Sequence, residues 1–200
     1  RSLLEMEEGN ARWEMWAEAE MGSYALIQGR LNEGAQRMLR AHALQEGAGT
    51  TYTELPASVV EALGMASIQY HFLRDPEGAG HILDRLLSST DLANYGPGKR
   101  GYLDLATLYA QIGRTEEARD LISRFRSETP DSVKGKDGWQ GEVRFAEATV
   151  ALSAGDPETA IDLIREGRQA IPDCTLCGLG ELGEAFRAAA MPDSAAAAYQ

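Results

Sequence analysis

Between Tyr102 and Pro130 the apolar positions keep a helical rhythm that is broken once. Tyr102, Leu105, Ala106 and Tyr109 are spaced by three and four, Gly113 interrupts, and Ala118, Ile122 and Phe125 resume the spacing. Residues three and four apart share one face of an α-helix, so each half predicts an amphipathic helix. Pro130 closes the second half because proline has no amide to donate. With Ala118 as anchor, small residues recur in phase at Gly34, Ala79, Ala160 and Ala195, at intervals of 45, 39, 42 and 35 residues. Four positions after the anchors stand Met38, Leu83, Ile122, Ile164 and Tyr199. Five positions before them stand Gly29, Arg74, Gly113, Gly155 and Ala190. Glycine at three of these turn positions suits the left-handed residue that ends a helix.

The tripeptide Asp-Pro-Glu occurs twice at one phase, as Asp75-Pro76-Glu77 and Asp156-Pro157-Glu158. Aspartate caps a helix N-terminus, proline is tolerated at its first position, and glutamate suits its positive end. Each tripeptide therefore predicts the start of a second helix, and Met191-Pro192-Asp193-Ser194 does the same later. Residues 46–54, 88–101 and 130–141 are rich in turn-forming types and read as insertions between units. Sustained period-two alternation is absent from the sequence, so the expected class is all-α.

The run Tyr102-x2-Leu105-Ala106-x2-Tyr109 with Ala118-x3-Ile122 and Pro130, and Leu179-x2-Leu182-Gly183-x2-Phe186 with Ala195-x3-Tyr199, resemble the tetratricopeptide repeat. The resemblance covers about residues 15–200. It implies a right-handed α-solenoid of about five antiparallel helix pairs, with units near 15–46, 60–90, 99–130, 141–172 and an incomplete 176–200, forming a single domain over 1–200. Two departures stand out: Arg144 and Glu147 occupy apolar positions of the fourth unit, and Gly34 replaces alanine in the first.

In that family the first helices line a concave surface that receives peptides. By phase, the resemblance places Trp16, Ser23, Ile27, Met65, Ile68, Phe72, Leu103, Thr107, Gln111, Phe145, Thr149, Leu152, Glu184 and Arg187 on that surface, with His71 beside Phe72. Packing between helices competes with this reading, because apolar residues at helical spacing are more often core. The inward positions hold no lysine, so the lysine clamp that some family members use for chaperone tails is not expected. The expected function is a non-catalytic scaffold or regulatory module that binds a protein or peptide. The segment from Cys174 to Tyr199 also resembles repeat regions behind bacterial serine/threonine kinases or transcription regulators, which implies a piece of a longer bacterial polypeptide.

Charge narrows the partner. The formal net charge is −12 with only Lys99, Lys134 and Lys136 as lysines. Nucleic-acid binding draws on Lys and Arg displacing counterions, and anionic lipid repels such a surface, so neither partner is expected. No apolar run reaches the length of a membrane span, and the charged opening does not resemble a secretion signal. Two cysteines fit a reducing compartment, hence a cytoplasmic expectation; the alternative is an extracytoplasmic domain of a membrane-anchored protein.

Chemistry is sparse. Cys174-Thr175-Leu176-Cys177 admits three readings: simple packing, a disulfide or redox pair, and a metal half-site shared between chains. Packing is the expected role; a redox-responsive accessory segment of an enzyme is the rival function, and homo-oligomerisation a third. His42, His71 and His81 assemble no catalytic spacing, and no cofactor or metal is expected. The glutamates at 5, 7, 8, 14, 18 and 20 read as a solvated face. Trp13 and Trp16 lie one turn apart, and sealing the N-terminal end of the stack is their expected role over an exposed anchor. Gly96-Pro97-Gly98-Lys99-Arg100 lacks the spacing of a phosphate loop.

Overall fold

The computed structural model describes residues 11–48, 55–134, 138–172, 174 and 176–199. Among these every regular element is helical. The chain forms two compact units, Arg1–Asn94 and Tyr95–Gln200. Of the expected insertions, residues 49–54 and 135–137 lie outside the described residues.

The N-terminal unit contains α1 (Ala11–Ile27), α2 (Leu31–Ala48), α3 (Ala57–Ser67) and α4 (Pro76–Ser89). Helix α1 packs on α2, α2 touches α3, and α3 packs on α4. The C-terminal unit contains α5 (Tyr102–Gln111), α6 (Thr115–Glu128), the short α7 (Asp131–Lys134), α8 (Trp139–Ser153), α9 (Pro157–Ala170), α10 (Leu179–Ala188) and α11 (Pro192–Ala198). Here α5 packs on α6 and α8; α8 packs on α6, α9 and α10; α10 packs on α9 and α11.

The turns repeat in detail. Gly29, Arg74, Gly113, Gly155 and Ala190 all have positive φ, so the phase marks the reversal even where the residue is not glycine. After α5, the Gly113 amide donates to Ala110 O at 2.9 Å and the Arg114 amide to Tyr109 O at 2.8 Å. The same two bonds close the turns at Gly29, Gly155 and Ala190. They satisfy carbonyls that a helix end otherwise leaves without partners. The turn at Arg74 is wider. There α3 runs into a π-helical segment, Ile68–Phe72, and the Leu73 and Asp75 amides reach back to Ile68 O and Gln69 O.

Helix starts also follow the sequence. Asp75 Oδ1 accepts from the Gly78 amide at 2.8 Å and Asp156 Oδ1 from the Thr159 amide at 3.1 Å. Pro76, Pro157 and Pro192 each open a helix, where the missing amide costs nothing. The second helix of the first unit starts at Leu31 and runs to Ala48, through the first residues expected to be insertion.

Gly34, Ala79, Ala118, Ala160 and Ala195 are all buried, because at these anchors two helices approach closely. Gly34 replaces alanine for a visible reason: a Cβ there would lie 2.6 Å from Leu26 and 3.0 Å from Gly22 O. Leu83, Leu105 and Ile164 are completely buried, each worth about 1.5–3 kcal/mol of transfer free energy. At the C-terminal end Ala148, Ala160, Ile164, Ala185, Phe186 and Ala195 form one cluster.

Arg144 and Glu147 break the apolar pattern by pairing. Arg144 binds Glu147 at 2.9 Å and Glu166 of α9 at 3.1 Å, and Glu147 also pairs with Arg126 of α6. The fourth unit thus adds an ion pair to its neighbour α6, while it meets the fifth through the buried cluster.

Candidate protein-interaction surfaces

In the N-terminal unit the first helix is apolar on two sides. Met15, Gly22 and Ala25 are buried on the side that meets α2. Trp13, Trp16, Tyr24 and Ile27 remain 45%, 42%, 62% and 76% exposed. The two indoles meet edge to face, with centroids 5.9 Å apart. Each keeps more than two fifths of its surface open. Trp16 and Ile27 are two of the predicted groove residues, and Ser23 between them is half-buried with its hydroxyl donating to Ala19 O at 3.1 Å.

The π-helical segment after α3 holds the next group. An extra residue inserted into a helical turn rotates the chain beyond it, and such bulges recur at functional sites. His71 and Phe72 are exposed here, and the Tyr70 and His71 rings meet edge to face at 4.7 Å. Met65 is half-buried. Ile68, placed on the groove by phase, is buried in the core and presents nothing to a partner. His81 lies 3.9 Å from Glu77 on an exposed face of α4, and the His42 side chain lies outside the described residues, as do Glu5, Glu7 and Glu8.

The C-terminal unit treats its predicted groove residues differently. Leu103 is buried, and Thr107 and Gln111 are half-buried. Phe145 fills the space that Cβ atoms on Gly167 and Gly178 would need, so it wedges α8 against the later chain. Leu152 packs against the C-terminal cluster. For the buried Ile68 and Leu103 the packing reading replaces the groove reading, and the half-buried Phe145 and Leu152 also take part in packing. Thr149 donates its hydroxyl to Phe145 O at 3.0 Å. Glu184 and Arg187 are exposed but pair with each other, and Tyr199 donates to Glu184 Oε1 at 3.1 Å.

Three acids absent from the sequence reading are linked electrostatically in this unit, Glu142 feeling the charges of both Asp104 and Glu181. Asp104 on α5, Glu142 on α8 and Glu181 on α10 are exposed by residue area, yet protein crowds the first two carboxyls. Burial pushes the Asp104 carboxyl up, and burial followed by the charges of Asp104 and Glu181 pushes Glu142 up. Asp104 and Glu181 stand at the same distance before the anchors Ala118 and Ala195, a phase match that marks them as equivalent positions.

A second polar group is internal. The Tyr102 hydroxyl donates to Glu128 Oε2 at 2.6 Å, Arg100 donates to the same oxygen at 2.7 Å, and Arg124 donates to Glu128 Oε1 at 3.1 Å. The Tyr102 hydrogen bond, helped by the two guanidiniums, holds the Glu128 carboxyl below its ordinary range. Tyr102 is buried, so this network ties the start of α5 to the end of α6.

Cys174 and Cys177 are joined by a disulfide, both half-buried in the connection from α9 to α10. Simple packing of two thiols is therefore corrected to a covalent link. Arg168 donates to Cys177 O at 3.1 Å, tying that link to α9. A disulfide of this spacing exchanges with an external dithiol, taking two electrons and two protons to give two thiols.

Among the described residues no group of three His, Cys, Asp or Glu side chains is arranged to hold a metal, and no helix is long and apolar enough to cross a membrane. An open groove of about 430 Å³ lies between α6, α8 and α9, lined in part by Arg119, Arg126, Glu147 and Asp156. Compared with protein-family models, curated proteins and solved structures, the chain matches none of them.

Proposed function

We propose that this chain is a non-catalytic protein-interaction module whose helix pairs are tetratricopeptide-like units, stacked as short right-handed solenoids within each compact unit. The observation that carries the reading is the turn phase: positive φ at Gly29, Arg74, Gly113, Gly155 and Ala190, each followed by a buried anchor. Repetition of one unit leaves a row of first helices with a face free of its own partner helix, the arrangement that suits binding a segment of another protein. The exposed members of the predicted groove, Trp16, Ile27, His71 and Phe72, are the residues assigned to contact in the N-terminal unit.

A redox-responsive role is the second reading, favoured by the Cys174–Cys177 disulfide. One experiment addresses both. Tagged chain and its Phe72→Ala variant are used for affinity capture, in oxidising buffer and with dithiothreitol. A binding module loses partners on Phe72→Ala in either buffer. A redox-gated one changes its recovered partners when the disulfide is reduced. Equal recovery by wild type and variant overturns the assignment of Phe72 to the binding face.

A further inference from the structure

On α1, residues 13, 16, 20, 24 and 27 fall within about 80° of one another around the helix axis and span about 21 Å along it. Four of them are the large exposed apolar residues Trp13, Trp16, Tyr24 and Ile27. The fifth is Glu20, exposed at the midpoint, seven positions from either end. The buried residues Met15, Gly22 and Ala25 lie on the opposite face, where α2 packs, so α2 does not cover this stripe. A contiguous apolar strip on an outer helix face marks an interface. Tryptophan and tyrosine are the side chains that most often carry binding energy there.

The position of Glu20 decides among occupants. A second copy pairing in full register through this stripe sets Glu20 opposite Glu20, in a parallel pair because every residue meets its own copy and in an antiparallel pair because Glu20 is the midpoint. Glu20 then meets Glu20 in a patch losing its water, which is unfavourable. An anionic lipid surface is opposed by the same carboxylate and by the net charge of −12. A cation at the centre meets neither objection: it neutralises Glu20, and Trp16, one helical turn away, is the indole nearest to it.

We propose that the α1 stripe is a docking site for an amphipathic helix of another protein, with apolar side chains whose spacing mirrors Trp13, Trp16, Tyr24 and Ile27 and a lysine or arginine opposite Glu20. The inference rests on the interaction-module reading and names the partner class for one of its faces. Helix lying along helix matches the straight, 21 Å-long register of the stripe better than an extended strand does, since its anchors recur at helical spacing.

The probe is a synthetic amphipathic helix with leucines at the mirrored spacing and lysine at the central place, and a twin peptide with glutamate there. Titration followed by tryptophan fluorescence and calorimetry is expected to show the lysine peptide binding about fivefold to tenfold more tightly than its twin. The Glu20→Lys variant is expected to reverse that preference. Glu20 is exposed, so the variant retains the fold, and circular dichroism checks this. Trp16→Ala is expected to weaken both peptides. Equal binding of the two peptides, no binding of either, or an unchanged preference in Glu20→Lys overturns the proposal. Concentration-dependent dimerisation of the chain that Trp16→Ala abolishes also overturns it and assigns the stripe to a second copy. Failure here with Phe72-dependent capture intact removes only the α1 assignment. Failure of both removes the module reading as well.

Discussion

Helix α1 of the N-terminal unit leaves Trp13, Trp16, Tyr24 and Ile27 open, whereas at the surface of the C-terminal unit α5, α8 and α10 carry the acids Asp104, Glu142 and Glu181, the first two with crowded carboxyls. Both sets lie on first helices of pairs, and all four pairs are closed by the same turn. What differs is how each unit uses its apolar residues. In the C-terminal unit Leu103, Phe145 and Leu152 are drawn into packing, and the exposed Glu184 and Arg187 satisfy each other. In the N-terminal unit the large apolar residues outnumber the places α2 offers, and the surplus faces outward. The shared backbone plan therefore fixes where a face is, and the side chains decide whether it is sticky or charged.

The largest expected effect separates core from face. Leu105→Ala removes a completely buried side chain and is expected to cost about 2–5 kcal/mol of unfolding free energy. Ile27→Ala, at a residue 76% exposed, is expected to change stability by less than about 0.5 kcal/mol. Urea titrations measure both. A loss at Ile27 comparable to that at Leu105 means that α1 is covered by its own chain, and the contrast between the units collapses.

This contrast also marks what the sequence made legible. The turns were readable because a reversal demands a residue at a fixed phase, and that phase identified Arg74 and Ala190 as readily as the glycines. The helix starts were readable from Asp75-Pro76 and Asp156-Pro157 because capping is local. Groove membership was not. Helical phase places Leu103 and Thr107 on one side of α5, but how deep that side is buried depends on α8, thirty-odd residues away. The electrostatic link of Asp104, Glu142 and Glu181 was invisible for a related reason. Glu142 sits one helical turn earlier relative to its anchor than the other two, so only the packing of α5, α8 and α10 links the three. The cysteine pair was visible as a motif, but its spacing alone permits thiols as well as a disulfide.

A smaller contrast lies between two glycines. A Cβ on Gly141 would lie 2.8 Å from Gly167 O, a backbone atom that cannot turn aside, and would run into Ile171. Gly64, on an exposed face of α3, has nothing within 4 Å of such a Cβ. Gly141→Ala is expected to destabilise by about 1–3 kcal/mol through forced separation of α8 and α9. Gly64→Ala is expected to stabilise by about 0.5–1 kcal/mol, because alanine loses less backbone entropy in a helix. Thermal unfolding of the two variants should move in opposite directions. A shared direction would mean that helix propensity, not the close approach of α8 and α9, governs Gly141.

The smallest expected effect sets two glutamates of the C-terminal unit against each other, about 1 kcal/mol or less for the hydrogen-bonded Glu128 and smaller for the exposed Glu142, whose charge water screens. Glu128 has its folded-state pKa lowered, first by the Tyr102 hydroxyl and then by Arg124 and Arg100. Its contribution is therefore present above its unfolded pKa and is lost as pH falls through the lower folded value. Glu142 has its folded-state pKa raised, first by burial and then by Asp104 and Glu181. The charged form is thus disfavoured by folding, so stability is lower at neutral pH and is regained as pH falls through the raised folded value toward the unfolded one. Glu128→Gln is expected to destabilise at neutral pH and Glu142→Gln to stabilise. Each difference from wild type should shrink on acidification, that of Glu142→Gln at the higher pH because its carboxyl protonates first. Urea titrations from neutral to acid pH measure both curves. If Glu142→Gln is no more stable than wild type at neutral pH, neither burial nor the neighbouring acids penalise the Glu142 carboxylate, and the charged face of this unit is no more strained than an ordinary solvated surface.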